Sequence, residues 1–165
     1  MKIYKLETSV ILDIDLDTAW NFFSDPGNLS RITPPSMGFE ITEQDGQEMY
    51  PGMIIAYRVR PFGGIPVPWV TEITHVKQPH FFVDEQRFGP YRLWHHKHFF
   101  SPTGEGLLAR DLVHYALPGG PAGRLMHPLL VRPRLEQIFD YRKKTLLQMF
   151  GGKEMEDEDQ KAEES

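Results

Sequence analysis

The stretch Trp94-His95-His96-Lys97-His98-Phe99-Phe100 decides how this chain is read. It has the pattern of a β-strand carrying three histidines. Side chains alternate faces along a strand. Trp94, His96, His98 and Phe100 therefore share one face, and Leu93, His95, Lys97 and Phe99 share the other. The first face mixes large aromatic rings with two imidazoles. A purely structural core seldom needs that mixture, whereas the wall of a ligand cavity often does. The second face, with His95 and Lys97, suits water or a covering element.

Turn signals bracket this strand, Gly89-Pro90 before it and Pro102-Thr103-Gly104 after it. The same alternation predicts strands over 39–43, 53–59, 67–76, 81–86, 92–100 and 107–117, with Asp45-Gly46, Phe62-Gly63-Gly64 and Gln78-Pro79 as further turns. Short links between successive strands predict an antiparallel meander. Residues 2–14 read as a first strand with one break in its alternation. Asp15 or Asp17 offers an N-cap to a short helix over 18–23, and 28–32 suggests a second, ended by Pro34-Pro35. Leu125, Leu129, Leu135, Ile138, Phe139, Leu146 and Phe150 recur at helical spacing. Pro128 and Pro133 should make the first part of that helix irregular, with a straight run from Pro133 to Phe150 closed by Gly151-Gly152.

The length of 165 residues fits one domain, placed at 1–150. Of the net charge of −5, all is carried by the run from Lys153 to Ser165, so the body is formally neutral. The tail, 151–165, has little apolar surface to bury and is expected to be disordered. A neutral body gives no electrostatic footprint for nucleic acid. No apolar run is long enough to span a membrane, the N-terminus lacks the apolar core of a signal peptide, and there is no cysteine. A cytoplasmic location is the expectation that follows.

One strand, two short helices, a six-stranded meander and a long C-terminal helix is the order of the helix-grip fold. The chain resembles the START-like, Bet v 1-like superfamily, also labelled SRPBCC or polyketide cyclase/dehydrase. The similarity covers residues 1–150. Gly89-Pro90-Tyr91 followed by Trp94, His96, His98 and Phe100 resembles a bacterial ligand-binding branch, as do Arg110-Asp111, Val113 and Tyr115, and the segment from Leu135 to Arg142. The resemblance implies an α+β architecture: a curved antiparallel sheet of about seven strands wrapped on the long helix, with an apolar cavity between them. Relatives include lipid carriers, quinone-binding proteins and aromatase/cyclases. Similar domains occur fused to reductases of the nucleotide-sugar epimerase type, which implies a possible reductase-like partner.

His96 and His98 are the sharpest chemical candidates. They would either hydrogen-bond the polar end of a ligand or, with a third ligand from His114, Glu72 or Asp111, hold a metal. No spacing rule makes a third ligand converge, so neither a metal nor a cofactor is expected. Glu85 or Asp111 would orient an inward histidine for acid–base work. An inward Arg58 would suit an acidic head group, and Tyr115 would offer a phenol. Trp69 belongs to a proline-rich segment read as a loop at the cavity mouth, where Phe62 or Ile65 would touch a ligand or, transiently, a membrane. Trp94, Phe100, Leu135 and Phe139 would supply apolar walls. Gly119 to Gly123 lack the lysine of a phosphate-binding loop, and no Gly-x-Ser-x-Gly elbow is present.

The expected function is binding or carriage of a small hydrophobic molecule (a lipid, isoprenoid, quinone or polycyclic aromatic). The alternatives are a cyclase or dehydratase using a cavity histidine, with His96, His98, Glu85 and Asp111 as its catalytic groups, and an accessory domain for a reductase-like partner. The oligomeric state is not legible in the sequence.

Overall fold

The computed structural model describes residues 1–61 and 64–155. The readings made for Phe62, Gly63 and the acidic run from Glu156 onward lie outside the described residues. The chain runs β1 (Tyr4–Leu12), α1 (Leu16–Phe23), 3-10 turns at Pro26–Ile32 and Pro35–Met37, then β2 (Glu40–Gln44), β3 (Ile54–Val59), β4 (Val67–Lys77), β5 (Phe81–Phe88), β6 (Leu93–Thr103) and β7 (Gly106–Ala116). It continues through α2 (Gly120–Met126), a π-helical turn at His127–Val131, α3 (Arg132–Phe150) and β8 (Lys153–Glu154). The sheet order is β2-β3-β4-β5-β6-β7-β1-β8, with every pairing antiparallel. The long C-terminal helix lies across this curved sheet, which is the helix-grip arrangement.

Local chemistry accounts for these elements. The Asp15 carboxylate accepts a hydrogen bond from the Thr18 backbone N–H at 2.7 Å and so caps α1. Register shifts at Ile41/Glu43 on β2 and at Val70/Thr71 and Ile73/His75 on β4 mark bulges, which bend and twist a strand pair. β6 pairs with both neighbours without a register shift, so its alternation runs unbroken.

Two elements differ from the sequence expectation. β8 makes an eighth strand out of residues assigned to the tail. Gly151 and Gly152 turn the chain back at φ 72° and 111°, and Lys153 and Glu154 then pair with Ile11 and Val10. A Cβ on Gly152 would lie 2.0 Å from the Ile11 carbonyl oxygen, so only glycine allows this approach. The apolar stripe of the C-terminal helix also starts later than expected. Leu125 and Leu129 are 69% and 71% exposed, because the π turn shifts the helical phase and the buried stripe begins at Val131.

The interior has two apolar clusters. One gathers α1, Ile73, Phe82, Phe100, Ala109 and Leu146; the other gathers Trp69, Tyr91, Trp94, Val113, Leu135 and Phe139. Among the elements that cross from one cluster to the other are β6 from Trp94 to Phe100, β7 from Val113 to Ala109, and α3 from Phe139 to Leu146. The residues they carry in between are His96, His98, Asp111 and Arg142. A belt of ionisable side chains thus divides an otherwise apolar core.

Candidate functional site

Strand register builds the belt. Asp84 on β5 lies opposite His96, and Asp111 on β7 lies opposite His98. Each carboxylate also reaches the other histidine diagonally, as cross-strand neighbours on one face can. Asp84 Oδ2 stands 2.8 Å from His98 Nε2 and 3.4 Å from His96 Nδ1. Asp111 Oδ1 stands 3.0 Å from His96 Nε2 and 2.9 Å from His98 Nδ1. Both imidazoles are therefore held between the same two carboxylates. Arg142 completes the group from α3, its Nε 3.1 Å from Asp111 Oδ2 at an angle that makes no hydrogen bond. The Phe82 ring stacks on His98 at 4.1 Å.

Burial and mutual charge set the protonation of this group. Burial opposes ionisation of Asp111, but the Arg142 charge and hydrogen bonds from the two histidines hold its carboxyl well below the ordinary value. Asp84 is likewise lowered against burial, by His96, His98 and Arg142. Burial, with the neighbouring charge of His98, pulls His96 down. For His98 the hydrogen bonds to Asp111 and Asp84 overcome burial and push it up. These shifts favour the ionised form of both carboxylates and of His98, and the neutral form of His96.

Asp84, His96, His98 and Arg142 open onto a cavity of about 180 Å³ between the sheet and α3. The rest of its lining is mostly apolar or aromatic, with Phe22, Phe39, Tyr57, Trp69, Tyr91, Trp94, Leu135 and Phe139 among it, and also holds Asp25, Asn28, Thr33, Thr71 and Arg134. The Gly89-Pro90-Tyr91 turn helps to form it. The Gln86 amide donates to the Tyr91 carbonyl at 2.6 Å and accepts from the Tyr91 N–H at 3.2 Å, which sets Tyr91 against Trp94 with ring centres 4.9 Å apart.

Of the residues singled out in the sequence, Trp94, His96, His98, Trp69, Leu135 and Phe139 line this cavity. Trp69 does so from within β4 and not from a loop: Tyr57 on β3 pairs with it and stacks its ring 6.0 Å away. Arg58 is on the outer face, 3.6 Å from Glu40, because Tyr57 and Val59 take the inward positions of β3. Glu85 is also outside, bonded to His95 at 2.9 Å; the inward carboxylate of β5 is Asp84. Phe100 shares the face of His98 but lies past the cavity, packed on Phe23 at 4.9 Å. The Tyr115 hydroxyl hydrogen-bonds His127 Nε2 at 2.8 Å, away from the cavity lining. Asp111 reaches the histidines from behind the cavity wall.

Sequence reasoning missed Asp84 and Arg142. Asp84 alternates inward with Phe82, and Arg142 occupies a core-facing place in the stripe Leu135, Phe139, Leu146, a spacing that marks it as a buried cation. Asp84, His96 and His98 also bring three metal-ligand atoms within 4.8 Å of one another. The third ligands nominated from sequence do not join them on that side. Glu72 pairs with Arg87, His114 is paired in register with the outward His95, and Asp111 meets the opposite edges of both rings.

No family model and no curated protein matches the chain. Solved structures do resemble it. Protein CV1439 from Chromobacterium violaceum aligns with a TM-score of 0.65 and 12% identity, over 91% of this chain and 99% of that one. A point mutant of norcoclaurine synthase from Thalictrum flavum, in complex with a transition-state analogue, aligns with a TM-score of 0.59 and 19% identity, over 90% of this chain and 95% of that one. The major latex-like protein 151 of Panax ginseng gives a TM-score of 0.56 and 17% identity, over 82% of this chain and 96% of that one. At such identities the likeness shows the fold. With a long helix gripped by a curved antiparallel sheet, and solved structures of this kind aligning over most of its length, the chain has the helix-grip fold.

Proposed function

We propose that the protein binds or carries a small hydrophobic molecule, such as a lipid, isoprenoid, quinone or polycyclic aromatic, inside the cavity. One observation carries this reading: the cavity is lined mostly by apolar and aromatic side chains, and Asp84, His96, His98 and Arg142 are grouped on one wall, with Asp25, Asn28, Thr33, Thr71 and Arg134 the other polar residues of the lining. Such a lining suits a ligand with an apolar body and a polar end, oriented by a few convergent polar groups. Native mass spectrometry of gently purified protein tests it. An adduct of several hundred daltons, released on denaturation, is the expected result. A bare chain that also fails to bind the uncharged fluorophore N-phenylnaphthylamine would overturn the reading.

The carboxylate–imidazole pairs favour a second reading, an enzyme of the cyclase or dehydratase type. Asp111 and Asp84 each lie within 3.0 Å of an inward imidazole nitrogen, the reach needed for general acid–base chemistry. Incubating the released molecule with fresh protein separates the two: a carrier returns it unchanged, an enzyme converts it.

A further inference from the structure

We propose that Asp84, His96 and His98 form a mononuclear site for a divalent first-row transition-metal ion, zinc or ferrous iron, on the cavity wall. Two imidazole nitrogens, His98 Nε2 and His96 Nδ1, converge on one oxygen, Asp84 Oδ2, from 2.8 and 3.4 Å. Two histidines spaced by one residue on a strand, with a carboxylate from the adjoining strand, present all three donors to one point. The expectation of no metal rested on the lack of a converging third ligand, and Asp84, directly opposite His96 in register, supplies one.

The far edges of the rings support the same assignment. A metal-bound imidazole nearly always donates its other N–H to a carboxylate or carbonyl, which fixes the tautomer and aims the ligating nitrogen. Asp111 takes this part for His96, whose Nε2 hydrogen-bonds its Oδ1 at 3.0 Å, and the same oxygen lies 2.9 Å from His98 Nδ1, which Arg142 Nη2 also approaches at 3.4 Å. Arg142 offsets Asp111 in turn, so Asp84 would cancel one of the ion's two charges and no surplus of negative charge would stand behind the rings. Binding the ion displaces the proton shared between His98 Nε2 and Asp84, and that proton leaves to solvent. The donor set of two nitrogens and one carboxylate suits zinc or ferrous iron and not magnesium or calcium, which prefer oxygen ligands. All three residues line the cavity, so the ion's remaining coordination positions would face the ligand space and not a closed structural cage.

Cobalt(II) titration of the tag-free full chain, followed by visible absorption, tests the site. The expected result is one cobalt per chain, displaced by zinc and unaffected by excess magnesium. Asp84→Asn and His96→Gln should abolish the spectrum, and Asp111→Asn should weaken binding by about 10–100-fold. The double variant Glu85→Gln/His95→Gln, which removes an imidazole and a carboxylate from the outer face of the same strands, should bind as the wild type does. Should the inner variants fail to fold, proton NMR of the cobalt-loaded wild type decides: two exchangeable, strongly shifted imidazole N–H resonances are expected, those held by Asp111. No cobalt bound by folded wild type would overturn the proposal. So would binding that survives the inner variants, or that is lost in the outer double variant. Metal analysis after anaerobic loading with zinc and ferrous iron in competition identifies which ion the site prefers.

Discussion

Arg142 on α3 stands 3.1 Å, Nε to Oδ2, from Asp111 on β7, and both are largely buried. The long helix is therefore tied to the interior of the sheet by charge as well as by apolar packing. Removing one member of a buried pair leaves the other uncompensated in a poor solvent for charge. Arg142→Met should cost about 3–5 kcal/mol in urea unfolding. A loss below about 1 kcal/mol would place the pair with exposed ones and contradict its role as a tie.

Tyr115 should matter to stability and not to binding. Its hydroxyl serves His127, and burial pushes the phenol up to about 12. Tyr115→Phe leaves the buried His127 ring nitrogen without its hydrogen-bond partner, a cost of about 1–3 kcal/mol. Affinity for N-phenylnaphthylamine should stay unchanged, because the side chain does not line the cavity. A fall in affinity at equal foldedness would return Tyr115 to the binding site.

His127 gives a test by pH. Desolvation is the largest cause lowering it from the ordinary 6.5, helped by Arg132 and Lys2 and opposed by Glu136, while Tyr4 stacks on its ring at 3.5 Å and Tyr115 bonds it. The unfolded chain binds a proton here more readily than the folded one, so stability is whole above the unfolded value and declines as pH falls from there toward the lowered folded value. The slope from this group is at most about 1.4 kcal/mol per pH unit. Unfolding free energies of wild type and His127→Gln, compared between about pH 7.5 and 5.5, should show the wild type losing more on acidification. Parallel curves would mean that His127 keeps an ordinary affinity for protons.

Filling the cavity should abolish binding while sparing the fold. Ile138 lines the cavity from α3 and is only half-buried. Ile138→Trp places bulk in the ligand space, so affinity for N-phenylnaphthylamine should fall at least tenfold. The melting temperature should move little, since overpacking strains a core that has no room and this one has a cavity. Undiminished affinity would place the ligand elsewhere.

The face of β6 was legible because nothing interrupts it: Trp94, His96, His98 and Phe100 alternate over a stretch without a bulge. Alternation gives the face and not the distance along the strand, which is why Phe100 and Tyr115 were placed in a cavity that ends short of them. Arg58 was harder. The run Ile54-Ile55-Ala56-Tyr57-Arg58-Val59 is apolar at both parities, so periodicity could not say which half turns inward. In Asp84-Glu85 each face of β5 has its own carboxylate, and only register with β6 separates the one beside the inner histidines from the one beside His95. The proline-rich approach to Trp69 disguised a strand, since Pro68 sits in β4 with its side chain outward. The fold was readable from the order of elements; the site depended on pairings between strands far apart in sequence.

The polar belt also acts as a check on how the sheet is assembled. Its members come from three neighbouring strands and α3, and those on the strands meet only if Asp84 faces His96 and Asp111 faces His98. A slip of β6 by a single residue would turn Leu93, His95, Lys97 and Phe99 inward and leave two buried carboxylates without their imidazoles. An all-apolar belt would tolerate that error far better. The groups that make the cavity chemically distinctive thus also penalise misassembled versions of the sheet that surrounds it.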